Sequence, residues 1–126
     1  MGRIIKELYI WGDKAKEEFP VLLDSGASVS VIREDVAEKM CKNFTKLVKK
    51  HSFNGVNGKP QLTTIATCVL QLKMKNYILD GKFYVVRGLK REILIGADFM
   101  QAWDIRLIPK KHDYTVGVNP EELEII

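Results

Sequence analysis

One carboxylate in this chain stands where it can do chemistry. In Phe19-Pro20-Val21-Leu22-Leu23-Asp24-Ser25-Gly26-Ala27-Ser28-Val29-Ser30-Val31-Ile32, Asp24 lies between two apolar, β-branched-rich runs and directly before a Ser-Gly turn. A buried strand that ends in a tight loop holds such an acid rigidly, with its carboxylate in reach of the loop backbone. A fixed acid suits proton transfer, because a general acid or base must sit within hydrogen-bond distance of the atom it serves. Gly26 lets the backbone approach the carboxylate closely and offers it an N–H. Ser25, taken alone, reads as a turn serine bonding its own backbone. The other reactive side chains show no working pattern. Cys41 and Cys68 lack Cys-x-x-Cys spacing, and two partly buried, reduced thiols are the preferred reading over a disulfide, which stays open. His51 and His112 lack metal-ligand spacing, so neither a metal nor another cofactor is expected.

Short strands must position Asp24. Arg3 to Trp11 reads as an opening strand ending at Gly12-Asp13-Lys14, and Phe19 to Leu23 as its hairpin partner, delivering Asp24. Arg33 to Met40 has Val36, Ala37 and Met40 at helical spacing and acids in its first turn, which suits the helix dipole. Lys46 to Phe53 is expected to be a strand entering the glycine-rich turn Asn54-Gly55-Val56-Asn57-Gly58-Lys59-Pro60. Gln61 to Met74 returns as a long strand. Its apolar residues Leu62, Ile65 and Val69 give way to Cys68, Leu70 and Leu72 on the other face, which predicts a bulge or a bend. Ile78 to Leu79 and Lys82 to Val86 are expected to pair through Asp80-Gly81, and Ile93 to Ile95 to form a short buried strand. Asp98 is placed as the cap of a helix over Phe99 to Trp103. Ile105 to Ile108 and Tyr114 to Val118 make a closing hairpin, and 119–126 is a tail, either a helical turn or an extended arm. The class is all-β, a partly closed barrel with one or two short helices.

With 126 residues, 46% hydrophobic and 29% charged, the chain has the composition of one ordinary globular domain, residues 1–126 with a core at about 4–118. The net charge of +4 comes from scattered basic residues without interleaved aromatics, read as solvated surface and not as a nucleic-acid site. No run is long and apolar enough for a membrane span, and the N-terminus lacks a signal pattern. A cytoplasmic setting, and a domain cut from a longer polypeptide, are the corresponding expectations.

The Asp24 stretch resembles the active-site loop of the aspartic proteases, apolar-apolar-Asp-Thr/Ser-Gly-Ala/Ser/Thr. A second segment, Glu92-Ile93-Leu94-Ile95-Gly96-Ala97-Asp98-Phe99-Met100, resembles the apolar-apolar-Gly-x-Asp/Asn-Phe/Leu-Leu pattern of the retropepsin-like members. The resemblance covers about residues 4 to 118 and implies the single-domain, retropepsin-like acid-protease fold. Pepsin-like enzymes carry two Asp loops in one chain, whereas this sequence has one. The resemblance therefore implies a homodimer, isologous about a two-fold axis, with one Asp24 per subunit. Two carboxylates that close share a proton and activate water against a peptide bond; the splitting of their pKa values is a known property of this protease class, and it belongs to the pair.

On the same resemblance, Ser25 crosses to tie the two Asp loops together. Asn54, Gly55, Val56, Asn57 and Gly58 form a flap over the substrate, about 30 residues after Asp24. Ile95 and Gly96 lie in the strand packed behind the loop, where a side chain at Gly96 would collide with it. Asp98 stands at a helix start and is read as a cap, not as a second catalytic acid. Val31, Ile32, Val56 and Ile95 are expected as pocket walls. Ala27 lacks the hydroxyl that some relatives direct at the acid, which implies a less acidic working range. Ser28 and Ala97 replace an acid and an arginine that often pair near the retroviral dimer interface. The expected function is a homodimeric aspartic endopeptidase acting on polypeptides. The alternatives are a catalytically silent dimerisation or peptide-binding module on the same fold and, last, a basic nucleic-acid-binding barrel.

Overall fold

The computed structural model describes residues 2–50, 52–53 and 62–124. The expected flap, Asn54 to Gly58, lies outside the described residues.

β1 (Arg3–Trp11) and β2 (Lys16–Asp24) form the first hairpin, with Ile4, Leu8 and Ile10 turned inward at the two-residue period of a strand. Its turn is fixed by a neighbour. The Met40 carbonyl at the end of α1 (Glu34–Met40) accepts N–H bonds from Lys14 and Ala15 at 3.1 and 3.3 Å, so Gly12 must lack a side chain: a Cβ there would stand 2.0 Å from that oxygen. The Asp13 carboxylate completes the join, accepting the Lys42 and Asn43 backbone N–H groups and the Asn43 side-chain amide.

β3 (Val31–Arg33) leads into α1, which buries Val36, Ala37 and Met40. The strand expected over Lys46 to Phe53 is instead two short pieces, β4 (Thr45–Lys46) and β5 (Ser52–Phe53), each pairing with β6 (Leu62–Met74). β6 carries the predicted bulge. Thr64 opposes Val86 and Ala66 opposes Val85, leaving Ile65 as the extra residue, its carbonyl accepting from Leu47. The faces differ from the expectation. Even-numbered residues from Thr64 to Met74 point inward, Ile65 is half-buried, and Val69 is exposed.

β7 (Tyr77–Arg87) pairs with β6 through the Lys75-Asn76 turn, with Lys75 in the left-handed region. The hairpin expected at Asp80-Gly81 does not exist, because both residues lie inside β7. Glycine is demanded there by packing. A Cβ on Gly81 would stand 2.4 Å from Cδ2 of Phe99, whose ring packs on Phe83 with centroids 5.8 Å apart, and the Asp80 carbonyl accepts the Trp103 indole N–H. Both aromatics come from α2 (Ala97–Ala102) and the residue after it. A turn signal in the sequence is thus a clearance for a helix.

β8 (Ile93–Ile95) runs parallel to β2 and antiparallel to β3, and β3 runs parallel to β7. The ring order β1-β2-β8-β3-β7-β6 closes where Ile10 and Trp11 of β1 meet Leu72 and Gln71 of β6. The barrel is therefore closed, where the sequence suggested partial closure, and its core is built around Phe83, Ile10, Leu23, Ile32, Leu70 and Ile95, all inaccessible to solvent. β9 (Ile105–Ile108) and β10 (Asp113–Val116) form the separate closing hairpin, and Pro120–Glu122 is a 3-10 turn.

Introducing a side chain at Gly81 should be felt at once. Gly81→Ala is expected to cost about 2 kcal/mol of stability through forced displacement of the Phe99 ring, read as a lower denaturant midpoint with an unchanged slope. Acid should weaken the fold for a different reason. Asp13 is held below the ordinary carboxylate range first by the Lys42 N–H, Asp35 by the Arg33 guanidinium, and Asp113 by the Lys75 ammonium. Lowered folded pKa values mean that their stabilisation is present above the unfolded value of 3.8 and is lost as pH falls through the folded values. The unfolding midpoint should therefore drop on acidification below about pH 4, and drop less in Asp13→Asn.

Candidate active site

Asp24 is the last residue of β2, and its side chain is 23% exposed at the edge of the barrel. The Gly26 N–H donates to its Oδ1 at 2.9 Å, as the Ser-Gly turn suggested, and the Ala27 N–H returns to the Asp24 carbonyl at 3.1 Å. The second carboxylate oxygen faces Arg3, whose Nη2 lies 3.8 Å from Oδ2. Register puts it there, since Arg3 opposes Asp24 in the β1–β2 hairpin. An open depression of about 360 Å³ is lined by Gly2, Arg3, Asp24 and Gly26.

The loop after Asp24 is clamped from behind. Leu23 pairs with Ile95 and Val31 with Leu94, so β8 lies between the two strands that the loop connects. At the end of β8 the backbones press together, and a Cβ on Gly96 would stand 2.4 Å from the Val29 carbonyl oxygen and 2.8 Å from that of Ala27. The loop carbonyls are satisfied from α2: the Ala97 N–H donates to Ala27 at 2.7 Å and the Asp98 N–H to Ser28 at 3.3 Å.

Ser30 completes the clamp. Fully buried, it accepts the Gly96 N–H at 2.9 Å and donates its hydroxyl to Asp98 Oδ1 at 2.7 Å. Asp98 therefore does not cap α2 from outside. The helix begins one residue earlier, at Ala97, with Gly96 before it, and the Asp98 carboxylate bonds Ser30 and the Phe99 N–H. Sequence reasoning missed Ser30. The available signal was a hydroxyl at an inward position of an otherwise apolar run, which needs a buried partner.

Ser25 is engaged within its own chain. Its hydroxyl accepts the Gly2 N–H at 2.9 Å and donates to the Gly2 carbonyl at 3.1 Å, and its own N–H reaches the same carbonyl. Ile32 and Ile95 are completely buried and Val31 nearly so, all three within the packed interior. Among the described residues no three His, Cys, Asp or Glu side chains gather as a metal site would require, and no helix is long and apolar enough to cross a membrane.

Removing the Ser30 hydroxyl strands a buried N–H and frees a carboxylate. Ser30→Ala is expected to cost about 2–3 kcal/mol, with the Gly96 amide exchanging its hydrogen faster than in the parent protein.

Comparison with known proteins agrees with this geometry. Two solved structures share the fold. One is the retroviral protease-like domain of Ddi1 from Leishmania major, with a TM-score of 0.63, 14% identity, and coverage of 92% of this chain and 89% of that one. The other is EIAV protease complexed with the inhibitor HBY-793, with a TM-score of 0.57, 20% identity, and coverage of 85% of this chain and 93% of that one. No curated protein matches the sequence. Residues 13–102, which contain both the Asp24 loop and the Gly96 strand, match the family described as "gag-polyprotein putative aspartyl protease". The chain belongs to this family of retropepsin-like aspartyl proteases.

Proposed function

We propose that this chain is a homodimeric aspartic endopeptidase in which Asp24 and Asp24 of the partner subunit form the catalytic dyad. The observation that supports it most is the setting of Asp24: a partly exposed carboxylate at a strand end, with the Gly26 N–H on one oxygen and a loop braced by β8 and α2. Such bracing fits a group that must meet its twin at a fixed distance, because loosely held acids lose the geometry of proton transfer.

In the proposed cycle one carboxylate of the pair is ionised and takes a proton from water while the other, protonated, donates to the peptide carbonyl oxygen. The substrate would lie extended, adding its backbone as a strand, with Asn54 to Gly58 closing over it. The functional unit is the single domain over residues 1–126. Ser25 would exchange its bonds to Gly2 for the partner loop when the dimer forms.

A second reading is a catalytically silent dimerisation or peptide-binding module. What favours it is that Arg3 stands beside the Asp24 carboxylate and the Ser25 hydroxyl is spent on Gly2, contacts that docking of two Asp loops must rearrange.

Asp24→Asn separates the two readings. The substitution should lower cleavage of an unbiased peptide library by about a thousandfold or more while sedimentation still reports a dimer. Parent protein that is dimeric yet cleaves nothing between pH 3 and 8, with peptide binding equal in Asp24→Asn, would instead establish the silent module.

A further inference from the structure

Cys41 and Cys68 have no place in the proposed chemistry, yet the fold brings them together. Cys41 ends α1, with its N–H on the Ala37 carbonyl at 2.8 Å. The next residue, Lys42, donates its N–H to Asp13, and Asp13 shares the wall of one cavity with Cys68, so the join around Asp13 brings Cys41 close to Cys68. Both are unpaired as disulfides and buried in the core, at 3% and 4% exposure. Each thiol is the largest influence on its neighbour, as expected of side chains in hydrogen-bonding contact. Burial does not isolate Cys68 from small solutes. A cavity of about 270 Å³, bordered by Asp13, Asn43, Phe44 and Thr67, has Cys68 in its wall.

We propose that Cys41 and Cys68 form a reversible redox site, oxidised by hydrogen peroxide or a comparable small peroxide to an intramolecular disulfide that staples the end of α1 to β6. The reaction balances in two steps. One sulfur takes an oxygen atom from the peroxide, releasing water and becoming a sulfenic acid. The neighbouring thiol then attacks that sulfur, the S–S bond forms, and the oxygen leaves as a second water. Two thiols and one peroxide thus yield one disulfide and two waters. Contact with the Cys68 thiol lowers Cys41 from the ordinary thiol range, while the same contact and burial push the Cys68 thiol up.

The covalent loop so closed holds residues 42–67. It includes β4, β5 and the glycine-rich run Asn54 to Gly58. Closing a loop of that length restricts the unfolded chain, and the oxidised form should melt several degrees higher. The site does not depend on Asp24 being catalytic.

The test uses the full chain under non-reducing conditions with hydrogen peroxide as the probe. Intact mass should fall by two hydrogens, peptide mapping should join Cys41 to Cys68, and the melting shift should reverse with dithiothreitol. Cys41→Ala and Cys68→Ala should each abolish the mass loss, and Cys68→Ala should leave a sulfenic acid that dimedone traps on Cys41. Parent protein that stays unmodified, that gains oxygen without cross-linking, or that links only between chains would overturn the proposal. All three readouts come from the parent protein, so it stays falsifiable even if a substituted chain folds poorly.

Discussion

The structure turns on the approach of two backbones at Gly96. The loop that follows Asp24 must cross the end of β8 with no side chain between them, and the Val29 and Ala27 carbonyls occupy the space a Cβ would need. Close contact of peptide groups is tolerable only where their polar atoms are matched, and here they are: Ala97 donates to Ala27, Asp98 to Ser28, and Gly96 to the Ser30 hydroxyl. The loop that carries the Gly26 N–H to the Asp24 carboxylate is braced by that arrangement. The loop's rigidity is supplied by a strand some 70 residues away in sequence, which explains why two separated motifs are needed to define one site.

A division of labour among the acids follows from burial and bonding. Asp98 spends its carboxylate on Ser30 and a helix N–H, so it acts as mortar. Asp13 does the same at the opposite end of the barrel, joining the first turn to the segment after α1. Asp24 differs from both in how little its carboxylate is engaged, with one oxygen held by an amide and the other opposite a mostly exposed guanidinium. Acids with satisfied lone pairs are structural; an acid with spare capacity can meet substrate or a partner.

Much of this was legible in the sequence, for physical reasons. β1, α1, β8 and the closing hairpin follow from periodicity and punctuation, and the Asp24 loop follows from an acid trapped between apolar runs. The failures are equally instructive. Asp80-Gly81 has turn chemistry, but its glycine answers to Phe99, a residue that local reasoning cannot bring near. Ile65 and Val69 read with Leu62 as one apolar face of the strand, whereas the register of β6 is set by its partner β7 and turns Val69 outward. Ser30 was invisible because its worth depends on Gly96 and Asp98. The nearness of Cys41 to Cys68 escaped for the same reason, as it needs the join that Asp13 makes to the segment after α1.

The extra residue at Ile65 has a further consequence. One strand gains a unit that the other lacks, so the pairing shifts by one residue between Val86 and Val85 of β7, both of them buried. The stretch from Thr64 to Met74 lies against the barrel interior at every second residue, while Leu62 and Thr63 beyond the bulge are only half-buried. A change of side chain in that outer arm therefore disturbs less of the packed interior than one along the rest of the ribbon.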